Sequence, residues 1–144
     1  MIYTGNYANC LSGNLISISF DRGKDADFHG RCYSKLAPIR TFWRIWKQNR
    51  GIIPERENNQ YYVKCYFDQV LSHLDPQTVL QELGDDPILL CYEKGQEFCH
   101  RHIVAEWLEM TLHVEVKEIA IDEAGNITFL ERPKYIRELL EQVM

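Results

Sequence analysis

No apolar run in this chain approaches the ~18 residues that a membrane-spanning helix requires. Its first residues, Met1-Ile2-Tyr3-Thr4-Gly5-Asn6, lack a basic stretch followed by an apolar one, so no secretory signal is read there. A glycine-rich Walker loop, a G-x-G-x-x-G turn and a G-x-S-x-G elbow are all missing. Those absences exclude the motif-bearing phosphate-loop, dinucleotide and serine-hydrolase chemistries. Excess positive charge is missing as well: the formal net charge is −5, which disfavours whole-surface binding to nucleic acid. With no repeat, low-complexity tract or linker, residues 1–144 read as a single domain, large enough to bury a core without staples.

What is present is unevenly distributed. Cys10, Cys32, Cys65, Cys91 and Cys99 are odd in number and irregularly spaced. Without an export signal they predict reduced thiols and a cytoplasmic protein rather than a disulfide framework. Residues 21–50 carry eight basic side chains against three acidic ones, so this segment is +5 and the remainder −10. A local cationic surface on an acidic protein suits a small anionic or nucleotide-like ligand; a solvated helix face is the plainer reading. Within it, Phe42, Ile45 and Trp46 fall on one helical face and Arg40, Arg44 and Lys47 on another. Interleaved aromatics and cations suit base stacking, but at this spacing they predict a core-facing stripe.

Period-2 alternation and turn residues predict strands at 2–6, 15–20, 87–93, 112–121 and 127–130, the last pair a hairpin across Asp122 to Asn126. Helical spacing predicts helices over 40–49, 54–74, 76–83, 96–112 and from Pro133 onward, with 21–38 a long loop. Strands alternating with helices predict an α/β fold: one layered domain with a mainly parallel central sheet and a C-terminal antiparallel hairpin. The apolar run from Pro87 suits a strand buried on both faces.

Ligands of open α/β sheets bind beyond the carboxyl ends of the strands. Three such ends are legible: Gly5-Asn6, Asp21-Arg22, and the stretch Cys91 to Gly95 that leads into the 96–112 helix. Cys99 is expected in the first turn of that helix, where free N–H groups and flanking cations favour a thiolate. In this reading Cys99 is the nucleophile, His100 a base, Glu93 an orienting acid and Arg101 an anion clamp, with Cys91, Gly5, Asn6, Asp21 and Arg22 lining the crevice. The alternatives are a non-catalytic phosphate-ligand module, and gap-filling packing for Cys99 with a backbone bond for His100. Arg101 and His102 project elsewhere and are expected at the surface. Cys91 and Cys99 are too far apart for a Cys-x-x-Cys redox pair. Cys91, Cys99 and His102 are candidate soft ligands with Cys10 or Cys32 as a fourth, but paired Cys-x2-Cys and His-x3-His elements are missing, so neither metal nor cofactor is expected.

The segment ILLCYEKGQEFCHRHIVAEWL resembles the signature of the bacterial domain of unknown function 488 family. A buried strand ending Leu-Cys-x-Glu is followed there by a short loop and Cys-His-Arg at a helix start; Cys91, Glu93, Cys99, His100 and Arg101 match it. The opening IYTGNY and the strand ISISFDRG sit where that family has its first two strand ends, the second loosely, because Asp21 and Arg22 are adjacent here. The resemblance implies an α/β fold with these loops clustered and names no reaction.

Overall fold

Five apolar-rich residues in a row make the central strand. In the computed structural model, which describes all 144 residues, Pro87–Cys91 (β4) is buried along its whole length. It pairs in parallel with Ile2–Asn6 (β1) on one side and Asn14–Ser17 (β2) on the other. β1 pairs in parallel with Val116–Ile121 (β5), and β2 with the two-residue strand Arg31–Cys32 (β3). Ile127–Leu130 (β6) closes one edge antiparallel to β5, so the strand order is β3-β2-β4-β1-β5-β6. This is the expected α/β architecture with a mainly parallel sheet and a C-terminal hairpin.

The helices are Arg40–Asn49 (α1), Glu55–Gln69 (α2), Pro76–Leu83 (α3), His100–Leu112 (α4) and Tyr135–Glu141 (α5). All five contribute to one core of 25 buried residues, which takes Ile2, Ile16, Leu89 and Val116 from the sheet. Ile88, Leu90, Ile119 and Ile121 alternate to the opposite face and pack with Cys10, Tyr7 and Phe28. β4 is thus buried on both faces, with helices over one and loops over the other.

Local chemistry sets the boundaries, and several differ from those the sequence predicts. β2 ends at Ser17 rather than Phe20, and the 21–38 segment contains β3 and three-residue helical turns at 24–26 and 34–36. α2 stops at Gln69 and a separate turn, Leu71–His73, follows. α3 behaves as expected: Asp75 accepts from the Thr78 N–H as its cap, and Gly84 ends it at φ +82°. The largest shift is in α4, which begins at His100 instead of residue 96. Cys99 is therefore its capping residue, in extended backbone (φ −155°, ψ 146°), and not a member of the first turn.

Gly5 is placed by packing. A Cβ there would stand 2.8 Å from the Ile119 carbonyl oxygen and would also collide with the Cys10 sulfur. Only a residue without a side chain lets β1 lie this close to β5 and the Cys10 loop.

Candidate functional site

Where the carboxyl ends of β2 and β4 meet the start of α4, the structure opens a cleft of about 360 Å³. Ser19, Asp21 and Asp25 line it from the segment after β2, and Cys91, Tyr92 and Glu93 from the end of β4. Phe98, Cys99 and His100 form its floor at the α4 start, while Trp43, Trp46 and Lys47 of α1 and Tyr62 of α2 form the aromatic wall. That wall is rigid for identifiable reasons. The Trp46 Nε1–H donates to Asn59 Oδ1 at 2.9 Å, and the Asn58 side chain donates to the Trp46 carbonyl at 2.8 Å. Trp46, Tyr62 and Phe98 then pack edge-on or tilted, with centroids 5.2–5.5 Å apart.

His100 is the best-oriented polar group in the cleft. Its Nε2 lies 2.9 Å from the Ile18 carbonyl oxygen, an acceptor only, so Nε2 carries the proton. Nδ1 is left with a lone pair, 4.0 Å from the Cys99 Sγ. Burial pushes the imidazole down to about pKa 4 against the opposing pull of the Ile18 carbonyl, with Arg101 adding to the fall. It is a neutral ring with its acceptor aimed at sulfur. Glu93 shifts the opposite way: burial raises its carboxyl, and the backbone N–H and Arg101 oppose that rise only in part. Its Oε2 is 3.5 Å from the Cys91 Sγ.

Cys91 and Cys99 are joined as a disulfide, with their Cα atoms 7.6 Å apart. This corrects the expectation of reduced thiols for these two residues, while Cys10, Cys32 and Cys65 are free. They stand eight positions apart in sequence, but the 92–98 loop folds back so that the sulfurs of Cys91 and Cys99 reach the same point.

Arg101 and His102 correct the sequence reading most sharply. Both are fully buried rather than at the surface. The Arg101 guanidinium donates to both oxygens of Glu118, the shortest bond being 2.8 Å, and its Nη1–H donates to the Cys91 sulfur at 3.3 Å. Glu118 also accepts from the Thr4 hydroxyl at 2.6 Å. A guanidinium so engaged has no free edge for a ligand in the cleft. His102 has both ring nitrogens unpartnered, with Nδ1 4.0 Å from Glu118, and burial drives its pKa down to about 2. It does not join the sulfur cluster, where three donor atoms, the two sulfurs and a His100 nitrogen, lie within 4.8 Å of one another.

Of the strand-end residues expected to line the crevice, Asp21 does so; it accepts from the Tyr92 hydroxyl and from the Gly23 N–H. Gly5, Asn6 and Arg22 are not among the lining residues. Asn6 instead caps a turn by accepting from the Asn9 N–H at 2.9 Å. The sequence reading did not place Glu118, Thr4, Tyr62 or Phe98 at the site, while Lys47 belongs to the cationic 21–50 segment read as suited to an anionic ligand. Glu118 had a local signal, an acid in strand register with Val116 on the core face.

The profile described as the active DUF488-N3 subclade (DUF488-N3a) matches residues 16–112, which includes the whole cleft. The chain belongs to the DUF488 family. β1 and Glu118 lie outside the matched stretch. No curated protein and no solved structure matches the chain. No helix of this DUF488 protein is long and apolar enough to cross a membrane.

Proposed function

We propose that the cleft is the active site of a thiol-dependent enzyme acting on a small nucleotide-like molecule, with Cys99 as nucleophile and His100 as its base. The observation that carries this is the fixed His100 tautomer: Nε2–H held by the Ile18 carbonyl, Nδ1 open toward the Cys99 sulfur. In the reduced protein Nδ1 accepts the Cys99 S–H proton as the sulfur bonds to an electrophilic carbon in the cleft. The bond from that carbon to its leaving group breaks, the group departing with that proton or with one from Glu93. The disulfide with Cys91 is the latent form, in which the nucleophile is withheld. Glu93, kept protonated to higher pH by its burial, is placed to donate to a thiolate or leaving group.

The aromatic wall of Trp43, Trp46 and Tyr62 suits a planar ring, as stacking on indole and phenol faces is tolerant of the ring's identity. Lys47, 4.7 Å above the Trp43 ring, replaces Arg101 as the cation for a phosphate or carboxylate. The DUF488-N3a subclade is described as active, which supports a catalytic reading over bare binding.

The test is peptide-resolved alkylation at neutral pH after reduction. Cys99 is expected to label faster than the more exposed Cys32, and His100→Ala to slow Cys99 labelling by roughly tenfold or more, the low end of what a positioned base contributes. Equal labelling of Cys99 in both proteins would end the proposal.

A further inference from the structure

We propose that the reduced protein captures one soft divalent cation of the Zn²⁺ class on Cys91 Sγ, Cys99 Sγ and His100 Nδ1, with the fourth position open to the cleft. The donors come from the end of β4 and the start of α4; the two sulfurs and a His100 nitrogen already lie within 4.8 Å of one another, and Nδ1 is 4.0 Å from the Cys99 Sγ. Two sulfurs and one imidazole are the ligand set of open, four-coordinate zinc sites, in which a water or substrate completes the tetrahedron. His102, the histidine that sequence spacing brought forward, faces Glu118 instead.

The surroundings are those of a ligand set. Metal-bound histidines commonly donate their other ring N–H to a carbonyl or carboxylate, and His100 gives Nε2–H to Ile18. The Arg101 bond to Cys91 Sγ supports a thiolate from outside, and Glu118 holds that guanidinium in place. Glu93 Oε2, 3.5 Å from Cys91 Sγ, is within reach of the fourth position or of a water there. Charge at the mouth is compatible with a cation: Asp21 and Asp25 face Lys47 alone.

Reduction comes first. A dithiol reductant gives two electrons and two protons to the Cys91–Cys99 bond and leaves as its own disulfide. The ion then displaces the two thiol protons. Two Zn–S bonds of about 2.3 Å at a tetrahedral angle set the sulfurs about 3.8 Å apart. With the Cα atoms 7.6 Å apart, side-chain rotation is enough to reach that spacing. The ion engages the same thiols as the proposed chemistry, so its capture masks the nucleophile. The proposal itself stands without that chemistry.

The measurement is Zn²⁺ binding to the full chain, reduced with a dithiol that is then removed in the absence of oxygen, read by competition with a chromophoric chelator. One ion per reduced chain is expected and none per disulfide-bonded chain. Cys91→Ser, Cys99→Ser and His100→Ala are each expected to weaken binding at least tenfold, while Cys65→Ser leaves it unchanged. X-ray absorption of the zinc-loaded wild type, expected to show two sulfurs and one imidazole, keeps the proposal testable if a variant fails to fold. No binding, undiminished binding in Cys99→Ser, or an all-oxygen shell would overturn it. Binding without His100-dependent alkylation of the zinc-free protein would remove the enzyme reading and leave this one intact.

Discussion

Arg101 shows how a single side chain can be seen in the sequence and still be misjudged. Flanked by Cys99 and His100, it reads as an anion clamp or a surface cation. The structure buries it completely against Glu118, which is 17 residues away and on another element. Nothing in the spacing of 99–102 reveals that partner. Only the strand alternation of Val116 and Glu118 hints that an acid faces the core. Removing one member of a buried ion pair leaves the other charge without compensation, a loss of about 3–5 kcal/mol. Glu118→Ala is therefore expected to lower stability by that amount in urea unfolding, and Arg101→Met with Glu118→Leu to recover much of it. A loss under 1 kcal/mol for Glu118→Ala would mean that the pair is not buried in solution.

At the scale of elements, the β4–α4 junction was readable because its parts are local: an apolar strand, a glycine loop and a polar cluster within 20 residues. Its exact start was not, since residues 96–99 carry helical spacing yet remain outside α4 and bring Cys99 to Cys91. The α1–α2 pair tells a similar story. The apolar stripe of α2 is legible from Tyr62 onward, but Asn58 and Asn59 are nearly as buried, holding the Trp46 backbone and ring. A polar residue buried by a specific partner has no periodic signature. Asn59→Ala leaves a buried indole N–H unpaired and is expected to cost about 1–3 kcal/mol. Unfolding monitored by tryptophan fluorescence reads it, and an unchanged midpoint would contradict the proposed stiffness of the cleft wall.

Over the whole molecule, the α/β class and the C-terminal hairpin follow from alternating patterns that each segment carries for itself. The strand order does not, because it depends on which parallel neighbours pack best, and β3 is too short to leave a pattern. One global property is also set by what the core encloses. Burial raises Tyr62 and Tyr66 well above the usual tyrosine value and brings Cys10 up to about 11, with Glu118 adding to the Cys10 shift. All three hold their protons more tightly folded than unfolded. Stability is therefore complete below their unfolded values and falls as pH rises past about 9 for the thiol and 10 for the phenols. Urea midpoints are expected to drop between pH 9 and 11, and Tyr66→Phe to reduce that drop. A flat profile over this range would show that these groups reach solvent in the native state.

Everything proposed for the cleft depends on which nitrogen of His100 carries the proton. Nitrogen-15 NMR of the imidazole at neutral pH reads this directly. The expected spectrum is a neutral ring protonated at Nε2 with a bare Nδ1, retained after the disulfide is reduced. A ring protonated at Nδ1, or on both nitrogens, would leave Cys99 with neither a base nor a metal-binding neighbour.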